Sequence, residues 1–231
     1  MPKTNEVKQI LYDMGADLCG VASIDRFDEA PEGFHPRDVL PTCKSVIVFA
    51  KRFSAATLHC KTKVPYTITR NILSDVLDKM AVQFCAVMEQ NGTLAVPTGT
   101  IGPTRKDPKT GRFRNAVSAK HCAVAAGLGR IGKNTLLITP EYGNMVWLCA
   151  VLTDAELAPD AMLPGSPCPD GCTLCIDNCP ANALGDPEMN QGACAAHAFH
   201  TEPGDNFVFK CHACRSVCPN CFGSKNGQLG P

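Results

Sequence analysis

Residues 118–154 read SAKHCAVAAGLGRIGKNTLLITPEYGNMVWLCAVLTD, and the order of elements within them decides the fold. The small residues from Ser118 to Ala126 suit a helix, TLLIT (135–139) suits a strand, and MVWLCAVL (145–152) suits a strand buried on both faces. Between them lies GLGRIGKN (127–134), in which Gly127, Gly129 and Gly132 match the dinucleotide pattern G-x-G-x-x-G. Gly127, Gly132 and Lys133 also come close to a Walker A loop, with Asn134 where Ser or Thr would hold magnesium. Both motifs need a strand before the glycines and a helix after them, so that phosphate meets a helix N-terminus. Here the order is reversed. The segment therefore reads as a helix C-cap and a tight turn into a sheet.

Working outward, Glu6–Met14 suits a short helix, and Leu18–Ile24 and Ser45–Ala50 (SVIVFA) suit strands. Ile68, Ile72, Leu73, Val76, Leu77, Met80, Phe84, Val87 and Met88 recur at steps of three and four, and Asn91-Gly92 stops that helix. Thr93–Val96 suits a further strand. Strands separated by helices imply an α/β sheet with helices on its faces. From Thr153 to Gly171 the composition shifts, with Pro159, Pro164, Pro167, Pro169 and Gly165 reading as a linker. The expected division is an α/β cofactor-binding domain at 1–162 and a small ferredoxin-like domain at 163–231.

Composition narrows the function. Lys plus Arg equals Asp plus Glu at 22 each, which speaks against a strongly electrostatic nucleic-acid binder. No apolar run is long enough to cross a membrane, and the start, MPKTNEVKQILYDMG, lacks a signal-peptide pattern, so a cytoplasmic protein is expected. Of 15 cysteines, nine fall between Cys168 and Cys221. An odd count without a secretion signal points to metal rather than to a disulfide scaffold.

The first run is Cys168-x3-Cys172-x2-Cys175-x3-Cys179-Pro180. Apart from one extra residue in the first gap, it is the ferredoxin run in which three thiolates hold one 4Fe–4S cluster and the cysteine before proline crosses to a second. The second run is Cys211-x2-Cys214-x3-Cys218-Pro219-x-Cys221. By the same crossing, Cys218 joins Cys168, Cys172 and Cys175 on one cluster. Cys179, Cys211 and Cys214 then need a fourth partner, for which Cys194 and Cys221 are the candidates. Cys194 is taken, because Cys221 sits just past the crossing proline, close to the other centre. Structural zinc also uses four cysteines in short-spaced pairs, but two zinc sites would not call for paired Cys-Pro crossings.

Residues 118–154, the two cysteine runs and HPRDVLPTCKSVIVFAKRF (35–53) together resemble the epoxyqueuosine reductase family, relatives of the corrinoid-dependent reductive dehalogenases. The resemblance implies a nitroreductase-like α/β domain that binds cobalamin, with a two-cluster ferredoxin module packed against it. It also implies that the cysteine between the two runs, Cys194, serves the second cluster. Gly127, Gly129, Gly132 and Lys133 become the candidate cofactor-binding residues. There are departures from the family pattern. Where the resemblance implies a catalytic aspartate in a Val-Asp-Thr/Ser-Ala-Pro motif, this chain has Val96-Pro97-Thr98-Gly99-Thr100. Where it implies a Tyr-His pair, there is Tyr66-Thr67. The chain also ends ten residues after Cys221, before the region that the family uses for tRNA.

The expected function is a reductase that passes electrons from a redox partner protein through two 4Fe–4S clusters to cobalamin, for reduction of a small-molecule substrate rather than tRNA. An electron carrier without an organic cofactor is the alternative, and a flavin in the α/β domain a third reading. Tyr66 is the candidate proton donor, set against a role as helix-start anchor. His35 reads as a loop residue and His121 as a satisfied core histidine. His197, His200 and His212 read as groups behind the cluster ligands or on the surface. Cys60, among Lys61, Lys63 and His59, is an exposed thiol; Cys19, Cys43, Cys85, Cys122 and Cys149 read as packing residues. Arg105, Lys106, Lys109, Arg112 and Arg114 form a basic stretch that reads as a solvated loop.

Overall fold

The computed structural model describes residues 3–102, 104–108, 111–185, 189–202 and 206–226; Lys109 of the basic stretch lies outside them. In chain order the elements are α1 (Thr4–Asp13), β1 (Leu18–Ser23), β2 (Ser45–Arg52), α2 (Val64–Gln90), β3 (Ala95–Pro97), β4 (Arg105–Lys106), β5 (Phe113–Arg114) and α3 (Ala119–Ala125). Then come β6 (Arg130–Ile131), β7 (Leu137–Ile138), β8 (Val146–Thr153), α4 (Leu174–Asp177), α5 (Gln191–Ala198), β9 (Phe199–Glu202), β10 (Asn206–Phe209), α6 (Ala213–Ser216) and α7 (Gly223–Asn226). It is a mixed α/β protein.

The central sheet has the order β1-β2-β8-β3. Every pairing in it is antiparallel, with Ser45 opposite Thr153 and Leu18 opposite Ala50. Antiparallel sheets commonly leave one face to water; this one covers both, which is why its strands read as unbroken apolar runs. Side chains alternate between the two layers. Val46, Val48, Ala50, Ala150 and Leu152 pack toward α3. Ile47, Phe49, Cys149 and Val151 pack toward α1 and α2. Each of the larger side chains contributes roughly 1.5–3 kcal/mol by its burial.

Helix α2 starts four residues before the expected pattern and ends at Gln90, with Gly92 at φ +74° beyond it. Its core face is Leu77, Met80, Ala81, Phe84, Cys85 and Met88. Ile68 and Ile72, expected inside, are 57% and 55% exposed. The reason is phase: a ladder of four-residue steps drifts about 40° per step, so Ile68 and Ile72 fall on the side of the helix away from Tyr66, Thr67 and Ser74, which the same turns bury.

At the end of α3, Gly127 N–H donates to Val124 O at 3.0 Å and Leu128 N–H to Ala123 O at 2.9 Å. With Gly127 at φ +74° this is the Schellman C-cap that the reversed order of elements implies. The β6–β7 hairpin follows.

The expected linker is only partly a linker. Ala155 and Leu157 are buried. Asp160 accepts from Lys8 Nζ and from Val21 N–H, each at 2.8 Å, and Arg26 Nη1 donates to its carbonyl at 2.7 Å. Its own N–H bonds Val21 O at 2.9 Å. The chain up to residue 160 is thus fastened along β1, ahead of Pro164, Pro167 and Pro169.

The cysteine-rich segment is fastened as well. Phe209 N–H donates to Thr67 Oγ1 at 3.0 Å, and Ser224 and Lys225 N–H groups donate to Pro140 and Glu141 carbonyls at 2.9 and 2.8 Å. Gly143 lies so close to the Cys221 carbonyl that a Cβ there would stand 2.3 Å from it. No described helix is long and apolar enough to cross a membrane.

Candidate functional site

The first group of cysteines comes from three places in the chain. Cys168 and Cys172 precede α4, Cys175 lies within it, and Cys218 follows α6. All four line one small cavity, closed by Lys133, Asn134, Pro167, Pro169, Leu174 and Pro219. Their thiols stand close enough to disturb one another's ionisation. Cys175 is pushed up by burial and then by Cys168 and Cys172. Cys218 is pushed up by burial, with Cys168 and Cys175 adding to it. Lys133 N–H donates to Cys168 Sγ at 3.4 Å, and Lys133 Nζ to the Cys172 carbonyl at 3.0 Å.

Cys179, Cys194, Cys211 and Cys214 form a second group. Cys194 sits on α5, whose N-cap Asn190 accepts from Ala193 N–H at 2.9 Å. Burial, then Cys211 and Cys179, push its thiol up. Cys214 rises to about 11, chiefly by burial, with Cys211, Cys194 and Cys175 adding to it. Burial acts on Cys179 too, but the N–H groups of Ala183, Ala181 and Leu184 outweigh it and hold the thiol below its ordinary value. The Ala183 bond to its Sγ is 3.2 Å. The two groups approach each other where Cys175 faces Cys214.

Cys221 belongs elsewhere. It is 1% exposed and packs with Phe53, Tyr66 and Met145. Its Sγ donates to Asn144 Oδ1 at 3.4 Å, and burial pushes its thiol to about 12, with Cys218 as its neighbouring thiol.

Two asparagines that the sequence reading passed over hold the turn bearing Cys214 and Cys218. Asn134 Nδ2 donates to the Cys214 carbonyl at 3.3 Å, and Asn144 Nδ2 to the Arg215 carbonyl at 3.2 Å. Both are buried. Arg215, buried between them, donates to the Asn144 carbonyl and lies 5.5 Å over the Phe53 ring. The signal for Asn134 was its place at the end of GLGRIGKN, where a Walker loop would have Ser or Thr.

The glycines make room for the chain itself. A Cβ on Gly127 would stand 2.2 Å from the Ala161 carbonyl oxygen, and one on Gly129 2.4 Å from that of Ile138. On Gly132 it would meet Ile138 Cδ1 at 2.7 Å and Asn134 Oδ1 at 2.9 Å. These three positions form no open cradle for an organic cofactor, and Lys133 is turned to the first cysteine group.

Tyr66 is 3% exposed. Its ring lies 4.7 Å from Phe53, 5.7 Å from Phe209 and 4.9 Å from His212, the position of an anchor between α2 and the cysteine-rich segment. His212 Nε2 lies 2.7 Å from Lys63 Nζ, and burial, then Lys63, drive its pKa down to about 4. His197 and His200 are exposed. His121, expected in the core, is on the open side of α3 with Nδ1 2.7 Å from Ser118 Oγ; the helix buries its neighbours Cys122 and Ala123 instead. His35 caps the 36–38 turn, accepting from Arg37 N–H at 3.1 Å.

Cys19, Cys43, Cys85, Cys122 and Cys149 are buried, as expected of packing residues. Cys60 is partly exposed and donates to the Ala56 carbonyl at 3.5 Å. At Val96–Thr100, Asp78 of α2 accepts from Thr100 N–H at 2.8 Å and from Thr100 Oγ1 at 3.1 Å. The basic stretch is not a free loop: Arg114 pairs with Asp107 at 3.0 Å and lies 3.9 Å over the Phe34 ring. Among the described residues no set of three or more His, Cys, Asp or Glu side chains is arranged to hold a metal ion.

Solved structures share this architecture at low identity. An epoxyqueuosine reductase from Streptococcus thermophilus superposes with a TM-score of 0.68 at 21% identity, covering 98% of this chain and 68% of that one. A catabolic reductive dehalogenase superposes at 0.70 and 15% identity, over 99% of this chain and 33% of the other. The fold is therefore the one common to epoxyqueuosine reductases and reductive dehalogenases. No family model matches the chain. The epoxyqueuosine reductase of Staphylococcus aureus is 33% identical over 269 aligned positions, spanning 97% of this chain and 67% of the relative. The chain belongs to the epoxyqueuosine reductase family. That of Listeria monocytogenes is 37% identical over 107 residues, a match that covers 42% of this chain and only 28% of the relative.

One epoxyqueuosine reductase of this fold, 21% identical, was solved with an epoxyqueuosine-modified tRNA-Tyr stem loop. The chain's own expectation against nucleic acid rests on its balanced overall charge. Net charge averages over the whole surface, whereas binding depends on local patches.

Proposed function

We propose that the chain is an iron–sulfur oxidoreductase whose 163–231 segment carries two 4Fe–4S centres. Cys168, Cys172, Cys175 and Cys218 would hold one, and Cys179, Cys194, Cys211 and Cys214 the other. The observation that carries this reading is the sorting of eight cysteines into two groups of four, one of them around a common cavity. A zinc ion draws its sulfurs to about 2.3 Å from one point, whereas a cubane takes a thiolate at each of four separated corners. When bound, such centres supply one-electron transfer.

The chain's own residues do the rest. N–H groups of Lys133 and Ala183 donate to ligand sulfurs, which favours the thiolate form. Pro167, Pro169, Leu174 and Pro219 limit water at the first site, and Asn134 and Asn144 hold the turn that joins the two groups.

A corrinoid in the 1–162 unit is the acceptor class we infer, supported by the fold neighbours, one of them described as suggesting a mechanism for B12-dependent dehalogenation. The packed glycines at 127–132 do not fit a cradle for it. A modified tRNA stem loop stands beside a small organic molecule as substrate class. A second reading, an electron-transfer protein that docks a partner enzyme, is favoured by Pro97 at the position of the implied aspartate and by the buried ring of Tyr66.

The test is anaerobic incubation with cobalamin, followed by gel filtration and cobalt analysis. Cobalt retained with the iron-loaded chain, with a cobalt spectrum that changes on reduction, supports the corrinoid reductase. Full iron loading without cobalt supports the carrier, and a yellow chromophore released on denaturation supports a flavin.

A further inference from the structure

We propose that the ammonium group of Lys120 is a part-buried counter-charge that raises the reduction potential of the centre held by Cys179, Cys194, Cys211 and Cys214. This rests on the two-centre reading above. Lys120 belongs to α3, so it comes from the sheet layer and not from the cysteine-rich segment. Its Nζ donates to the Thr135 carbonyl at 2.5 Å.

That carbonyl occupies a particular place. Thr135 has φ +60°, a left-handed conformation rarely adopted by a β-branched residue, and its N–H closes a turn onto the Gly132 carbonyl at 2.8 Å. The second cysteine group is reached from it on two sides. The preceding residue, Asn134, donates to the Cys214 carbonyl at 3.3 Å. Thr135 Oγ1 bonds Met189 Sδ at 3.3 Å, and the next residue, Asn190, caps the helix that carries Cys194. The turn that receives the lysine ammonium is thus tied on one side to the Cys214 carbonyl and on the other to the start of the helix carrying Cys194. Burial draws its pKa below the usual lysine value, and the two groups that act in the opposite direction are Cys214 and Cys194.

The first group has no equivalent arrangement around its lysine. Lys133 is exposed, and its ammonium rests on the Cys172 carbonyl. Water and salt screen an exposed charge, while a part-buried one is screened much less. Taking up one electron makes a centre more negative by one charge, with no bond made or broken. A fixed cation beside it stabilises the reduced form and raises its potential. The two centres would then differ, with an electron resting preferentially on the one beside Lys120.

The experiment is an EPR-monitored redox titration of the iron-loaded full chain, wild type against Lys120→Met, Lys120→Gln and Lys120→Arg. The signal of the second centre is identified as the one that Cys194→Ser alters. Met and Gln should lower that centre's reduced-to-oxidised ratio at fixed potential about tenfold, or about 59 mV for one electron. The other centre should not move, and Arg should restore the wild-type value. Equal potentials in all four proteins, with both centres loaded, would overturn the role of Lys120 and leave the two-centre reading intact. Loss of the second centre's iron in every variant, Arg included, would make Lys120 a structural residue and overturn it too. A wild-type chain that loads no second cubane would instead overturn the reading on which it rests.

Discussion

Cys194 and Cys221 lie on opposite sides of the question of which thiols face a cluster. Cys194 faces Cys179 and Cys211, whereas Cys221 is locked in an apolar cluster with Phe53 and Met145. Cys194→Ala should remove about half of the iron. Cys221→Ala should keep all of it and cost only stability, roughly 1 kcal/mol for a small cavity; iron analysis and thermal melting separate the two. The opposite pattern would exchange their roles. The buried thiols of the α/β layer make a separate prediction. Burial pushes Cys19, Cys122 and Cys149 to about 12, while an unfolded thiol loses its proton near 8.5. Between those values the folded chain holds more protons, so stability falls as pH rises, by roughly 1.4 kcal/mol per pH unit for each such thiol. A urea midpoint that stays flat from pH 8 to about pH 10 would contradict this. The cysteine assignments could be drawn from sequence because spacing within a short loop constrains them. Lys120, Asn134 and Asn144 could not, since the groups they meet lie 15 to 80 residues away.

The turn after α3 shows how much one element's reading depends on order. A pattern match alone suggests a nucleotide loop; a helix before and a strand after make it a cap. Gly127→Ala has to bear both the left-handed backbone and a Cβ 2.2 Å from the Ala161 carbonyl. It should lose more than about 1 kcal/mol, read as a lower denaturant midpoint, and a neutral result would refute the close approach. Asn144→Ala should cost about 0.5–1.5 kcal/mol by removing one of the two donors to the Arg215 carbonyl, Cys218 N–H remaining. The strands and helices themselves follow from periodicity, and the strand positions found at 18–23, 45–52 and 146–153 lie close to those expected. Strand direction does not follow, because an apolar run reads the same in a parallel and an antiparallel sheet once both faces are covered. The exposure of Ile68 and Ile72 escaped for a related reason: four-residue steps keep the helical rhythm but drift around the helix, away from the side that Tyr66, Thr67 and Ser74 bury.

At the scale of the whole molecule, the cysteine-rich part of the chain is held to the sheet layer by backbone hydrogen bonds, a few polar side chains and one aromatic cluster. Composition marks the change near residue 163, since cysteine and proline replace the apolar rhythm. It does not reveal that Asp160 fastens the approach to β1, nor that Asn134 and Asn144 of one half position the cysteine-bearing turn of the other. The family is legible in the motifs and is borne out by the Staphylococcus aureus relative; the substrate is not, because the segment carrying the implied aspartate differs here. The claim on which the functional account depends is that eight cysteines between Cys168 and Cys218 hold two iron–sulfur centres. Its most direct test is iron and acid-labile sulfide analysis, with EPR, of the anaerobically loaded chain. The account predicts about eight irons and eight sulfides per chain and two reduced-cluster signals that interact. About four irons, or a zinc ion in place of iron, would contradict it.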